Sequence, residues 1–340
     1  MSELVLQRFP LGSQWPTFDP FLFVAHHHDD YPASDGALAP GVSLTGRQLG
    51  NDFSGQGGWS MYHGRTVPGF PKHPHRGFET ITYVRDGYID HADSLGATAR
   101  FGKGDTQWMT AGSGIQHCEM FPLINSDAGN PLELFQIWLN LPASDKMVNP
   151  YFTMLWSHMT PAETIKGADD RGAVSLTALA GPIRDLIPAD PPPNSWASSG
   201  ETDVAIWQLS MEPNARFDLP AGDAASNRAL YAFEGSTVAI GGTEIDAGTG
   251  VLVRAEKEIE LTAGPGGIEI MILQGRPIGE PVAQYGPFVM NTEREIRDAF
   301  RDYQATQFGG WPWPNEEPNH GSIKQRFAIH ADGRHETISS

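Results

Sequence analysis

No part of this chain runs far without a residue that turns or breaks it. Its 340 residues hold 38 glycines and 27 prolines, dispersed from end to end. Glycine opens the positive-φ region, and proline locks φ and removes a backbone donor. Long regular elements are therefore excluded, and only short ones fit between the punctuators. The intervening runs alternate or are β-branched: 79–84 (ETITYV), 133–141 (ELFQIWLNL), 205–209 (AIWQL), 236–240 (STVAI), 250–253 (GVLV) and 268–273 (IEIMIL). This pattern predicts an all-β barrel or sandwich rather than βαβ units. In 133–141, Phe135, Ile137, Leu139 and Leu141 share one face of an extended strand, and Leu134, Gln136 and Trp138 share the other. Bulk on both faces suits a strand packed on one side and lining a barrel interior on the other.

One helix is legible. Thr292 and Glu295 form a T-x-x-E capping box, and Ile296, Phe300 and Tyr303 follow as one apolar stripe. The spacing predicts a helix over 293–304, ended by Gly309-Gly310 and by the Trp-Pro-Trp-Pro run to Pro314. The polar stretch 315–340 reads as an extended arm. Two strand-rich blocks, 40–145 and 200–275, lie on either side of the proline-rich 188–194 (PADPPPN), which reads as a loop or linker.

Composition removes several function classes. With 39% hydrophobic and 19% charged residues, the chain is not a disordered one. No apolar run approaches the ~18 residues of a membrane span, and the N-terminal stretch carries no secretory pattern. Lys and Arg number 23 against 41 Asp and Glu, a formal charge of −18 with no local basic cluster, which disfavours nucleic acid and anionic membrane as partners. Cys118 is the only cysteine, so no internal disulfide forms, which fits a reducing cytoplasm.

The twelve histidines are unevenly placed, with none between 159 and 319, so an imidazole site belongs to the first block. His73 and His75 sit at i and i+2 of an extended segment and project to one side as half of a metal site. His117 and Glu119 repeat that spacing after the turn Gly112-Ser-Gly114. Two antiparallel strands so arranged offer three imidazoles and a carboxylate. Such a set leaves open positions on an octahedral ion and suits non-haem iron better than a closed structural zinc. Cys118 alternates with its neighbours and reads as a small buried hydrophobe. The run His26-His27-His28 reads as a polar loop, because consecutive residues alternate faces in a strand.

Three segments, HPHRGFETITY (73–83), GDTQWMTAGSGIQHCEM (104–120) and YGPFVMNTEREI (285–296), resemble the signature segments of the pirin family, within the cupin superfamily. The DPFL at 19–22 is similar to that family's N-terminal segment, while the tail after about Phe308 goes beyond its shorter members. The resemblance implies two tandem cupin (double-stranded β-helix) barrels: a metal-binding one over 1–145, a metal-free one over 146–290, then a helix and extended arm over 291–340. It implies one Fe(II) held by His73, His75, His117 and Glu119. Strand period alone nominates Glu79 instead, which shares parity with His73 and His75 unless Gly77 makes a bulge. With Glu119 as ligand, Glu79 becomes a hydrogen-bond partner of a ligand imidazole. The Irving–Williams order also lets nickel, copper or zinc occupy such a set. The implied activity is cleavage of a flavonol such as quercetin by O2, the quercetin 2,3-dioxygenase type, with Glu119 as general base. Phe70, Phe78, Trp108, Met109 and Trp138 are candidate pocket walls, and Gln136 a polar contact. Other members act instead as regulatory partners of a transcription factor or metabolic enzyme, so a protein partner is the second reading.

Overall fold

The computed structural model describes residues 4–167 and 172–338. The chain forms two compact units that interleave along the sequence. The first comprises Met1–Ala25, Ile137–Pro142 and His158–Gly279, and the second His26–Gln136, Ala143–Ser157 and Glu280–Ser340. Each is built from antiparallel sheets, as the short alternating runs predict. The loop 188–194 lies inside the first unit and carries no regular element.

In the first unit a seven-stranded sheet runs in the order Val5–Pro10, Thr249–Arg254, Asn227–Gly235, Ile268–Gly275, Ala205–Met211, Val174–Ala180, Ala162–Ile165. A four-stranded sheet runs Arg216–Leu219, Ile259–Ala263, Thr237–Ile240, Thr243–Asp246. Alternate residues of both sheets, among them Leu176, Leu209, Ile270, Ile272, Val238 and Leu261, meet in one buried core. Period-2 patterning thus closes the two sheets on each other.

The second unit is built the same way. A six-stranded sheet runs His335–Ile338, Arg326–Ile329, Thr98–Gly102, Tyr88–Asp93, Ile115–Met120, Gly69–His75. A five-stranded sheet runs Tyr151–Leu155, Asp105–Thr110, Phe78–Asp86, Asn130–Asn140, Phe21–Tyr31. Its core joins Ile89, Phe101 and Ile115 of one sheet to Val84, Met109, Leu134 and Phe152 of the other. The helix runs Glu293–Thr306 and is capped as expected: the Thr292 hydroxyl accepts from the Glu295 amide.

Two expectations need correction. The segment 315–340 is not simply an extended arm. It turns back, and Arg326–Ile329 and His335–Ile338 add a hairpin to the edge strand Thr98–Gly102, covering backbone groups that would otherwise stay unpaired. Residues 339–340 lie outside the described residues. The triple histidine is no loop either, since it continues the strand Phe21–Tyr31. His26 stacks on Phe135 with its Nε2 3.0 Å from Glu133 Oε1, and half-buried His27 packs edge-on against Tyr62. The alternation that argues against a metal cluster is the same alternation that lets each ring find its own partner.

Candidate metal centre

Two neighbouring strands of the six-stranded sheet carry the imidazoles. Gly69–His75 pairs antiparallel with Ile115–Met120, with His73 opposite His117 and Phe70 opposite Glu119. The register shifts between Phe70 and His73, so two residues there face one on the partner strand. That bulge lets Phe70 and His73 both sit opposite residues of the His117–Glu119 face. Gly69 enters the strand at φ +127°, and a Cβ there would lie 2.4 Å from the Glu119 carbonyl oxygen.

Across this register His73, His75 and His117 converge, with one ligand nitrogen from each within 4.8 Å of the others. Their ring centroids lie 4.4 to 4.9 Å apart. The Pro71 carbonyl accepts from His73 Nδ1 at 2.8 Å, which leaves Nε2 with its lone pair. Both ring nitrogens of His117 are buried with no hydrogen-bond partner among the described residues. Burial lowers the pKa of all three rings, that of His73 from 6.5 to about 4, and the mutual repulsion of neighbouring imidazoles adds to it. All three are therefore neutral at pH 7. Three neutral, converging imidazoles with an orphaned buried nitrogen are a donor set that fits a divalent cation.

Glu119 lies beside them, its Oε2 4.0 Å from His117 Nε2. Its pKa is raised by burial, an effect that the Thr82 hydrogen bond and nearby His91 oppose. The Thr82 hydroxyl is 2.9 Å from Glu119 Oε1 and 2.9 Å from the side-chain oxygen of Gln136. One hydroxyl carries one proton. The set is consistent when Thr82 donates to Glu119 and the Gln136 amide is turned to donate to Thr82.

Glu79 lies elsewhere. The turn at Gly77 (φ +86°) separates the imidazole strand from Phe78–Asp86 and resets the parity. A Cβ at Gly77 would sit 2.0 Å from the Val289 carbonyl oxygen, so only glycine makes this turn. Thr82 then faces the imidazoles, and Glu79, an odd number of residues away in an unbroken register, faces the other side. There its Oε1 accepts from the Thr110 hydroxyl at 2.6 Å. Strand period counted straight through Gly77 therefore misplaces this carboxylate.

The expected walls divide likewise. Phe78 lies against His75 with centroids 5.1 Å apart, and Phe70 lies 6.3 Å from His73. Met109 pairs with Thr80 on the Thr82 face, whereas Trp108 pairs with Ile81 on the Glu79 face. Trp138 lies on the end of Asn130–Asn140 that groups with the first unit, where it packs on Phe23. Cys118 is buried among Ala92, Val67 and Met120, and burial pushes its thiol pKa up. One residue was missed by the motif reading. His91, fully buried, pairs in register with Glu119, and its ring lies 5.5 Å from His117. Its signal was present as H-x-D, with His91 Nε2 3.3 Å from Asp93 Oδ2.

Comparison with known proteins identifies the family at both ends of the chain. The family model described as Pirin matches residues 5–139, and that described as Pirin C-terminal cupin domain matches 206–309. A Pseudomonas aeruginosa protein named "Putative quercetin 2,3-dioxygenase" is 33% identical over 299 residues, covering 82% of this chain and 94% of its own. A Pirin-like protein of Caulobacter vibrioides is 35% identical, covering 71% of this chain and 80% of its own. The fold is that of the crystal structure of quercetin 2,3-dioxygenase from Acinetobacter baumannii, with a TM-score of 0.69 at 23% identity, over 90% of this chain and 98% of that one. Two cupin units, the H-x-H and H-x-E strands side by side, and matching models over both halves place this chain in the pirin family.

Proposed function

We propose that this protein is an Fe(II)-dependent dioxygenase that opens a flavonol such as quercetin, a reaction of the quercetin 2,3-dioxygenase type. The observation that carries this reading is the convergence of three neutral imidazoles, those of His75 and His117 buried, beside a carboxylate of raised proton affinity. His73, His75 and His117 would hold the ion, with Glu119 as the fourth ligand. An iron ion bound there supplies Lewis acidity and one-electron exchange with O2.

The chain's own contribution is acid–base and positional. A flavonol must lose the proton of its 3-hydroxyl before its electron density becomes available to O2. Glu119 accepts that proton at a carboxylate oxygen, and its burial makes it a stronger base than a solvated carboxylate. Thr82 and Gln136 fix the orientation of the carboxylate through Oε1, which leaves Oε2 toward the imidazoles. Phe78 beside His75 and Phe70 near His73 supply apolar surface for the rings.

Freshly purified protein should contain iron by elemental analysis, close to one ion per chain. Loaded with Fe(II) under anaerobic conditions and then given quercetin and O2, it should bleach the flavonol absorbance and release carbon monoxide. Turnover no faster than that of free metal ions, with iron, nickel, copper or zinc alike, would reject the assignment.

A further inference from the structure

One ring removed from His73, across Phe70, a phenylalanine is held out in solvent on a backbone braced by hydrogen bonds. Phe53 is 55% exposed, yet the residues around it are pinned by buried carboxylates. Asp52 accepts from the Ser54 amide and hydroxyl and from the Met61 amide, and pairs with Arg47 at 2.7 Å. Asp29 accepts from the Ser60 amide and the Tyr62 hydroxyl. The loop is also bridged to the strand that bears His73, since the Gly69 amide donates to the Met61 carbonyl and the His63 amide to the Gly69 carbonyl.

On this scaffold the rings of Phe53, His63 and Phe70 lie 5.1 to 6.4 Å apart, and Phe70 lies 6.3 Å from His73. His63 Nδ1 is 2.9 Å from the Gly50 carbonyl, so in the neutral ring Nδ1 carries the proton and Nε2 remains an acceptor. A loose exposed phenylalanine would lose side-chain freedom on contact with a ligand. A ring whose backbone is already fixed loses less, which is the advantage of a preorganised site.

We propose that Phe53, with His63 and Phe70, forms a platform on which the flat, hydroxylated ring of the substrate distal to the metal centre stacks. Phe53 is thus a specificity-determining residue. It supplies the ring contact, while His63 Nε2 accepts from a phenolic hydroxyl. This inference rests on the flavonol reading above and adds where the second half of such a molecule lies.

The test uses the full chain and two probes. Binding of a flavone that lacks the 3-hydroxyl is followed by quenching of tryptophan fluorescence, with and without Fe(II). Quercetin turnover is measured on the iron-loaded protein. Phe53→Ala should weaken flavone binding and raise KM for quercetin, each about three- to tenfold, with kcat within about twofold, and Phe53→Tyr should restore both. Flavone binding that is absent in the parent protein, or equal in the parent and Phe53→Ala, overturns the platform. If the parent binds flavone through Phe53 but turns over no quercetin, the platform stands and the dioxygenase reading falls.

Discussion

His117 exemplifies the chemistry at the scale of single residues. A buried imidazole with neither nitrogen bonded carries a desolvation cost that a cation would remove. His117→Ala should therefore lower the iron content of the purified protein more than tenfold while leaving the fold intact by circular dichroism; full retention of iron would exclude it as a ligand. Lys146 offers a pH-dependent counterpart. Only 1% exposed, it donates to the carbonyls of Gly77 and Val289. Burial lowers its pKa from 10.5 to about 8. Between these values the unfolded chain holds a proton that the folded chain lacks, so stability rises as pH increases from 8 towards 10.5, by up to about 3 kcal/mol. Below pH 8 both states are protonated and this slope vanishes. Denaturant titrations of the parent and Lys146→Met across that range should show the rise in the parent alone. An equal slope in both would assign it to other groups.

Among the elements, the turn between the imidazole strand and Phe78–Asp86 decides the most. Gly77→Ala would require a methyl group 2.0 Å from a carbonyl oxygen at φ +86°. It should cost at least ~2 kcal/mol and reduce metal content, both measurable on one preparation. The helix gives a milder check: Thr292→Ala removes the acceptor for the Glu295 amide and should cost about 1 kcal/mol without changing metal content. These two elements were not equally legible. The helix could be placed because cap, stripe and stop are all local. The carboxylate that faces the imidazoles could not be chosen by counting, because the count crosses Gly77, whose conformation is set by the Val289 backbone more than two hundred residues away.

For the molecule as a whole, the tail behaves as part of the second unit, which carries the three converging imidazoles. Asp90 and Arg100, both fully buried, pair through two hydrogen bonds of 2.6 and 2.5 Å. They also anchor the tail, Arg100 donating to the carbonyls of Gly321 and Ile323 and Asp90 accepting from the His320 amide. Asp90→Leu should destabilise by ~3–5 kcal/mol, because it strands a buried guanidinium, and Arg100→Met in the same chain should recover part of that loss. Urea unfolding of the single and double variants decides the point; a single variant as stable as the parent would show that the tail is not held this way. From sequence alone came the all-β architecture, the helix, and the two i, i+2 pairs whose imidazoles converge, because strand period and capping are properties of neighbouring residues. Tertiary structure alone decided which face Glu79 takes, that His91 lies beside Glu119, that Phe53 meets Phe70, and that the tail becomes two strands. Each of those depends on a register or a turn whose partner lies far along the chain, and local pattern carries no record of it.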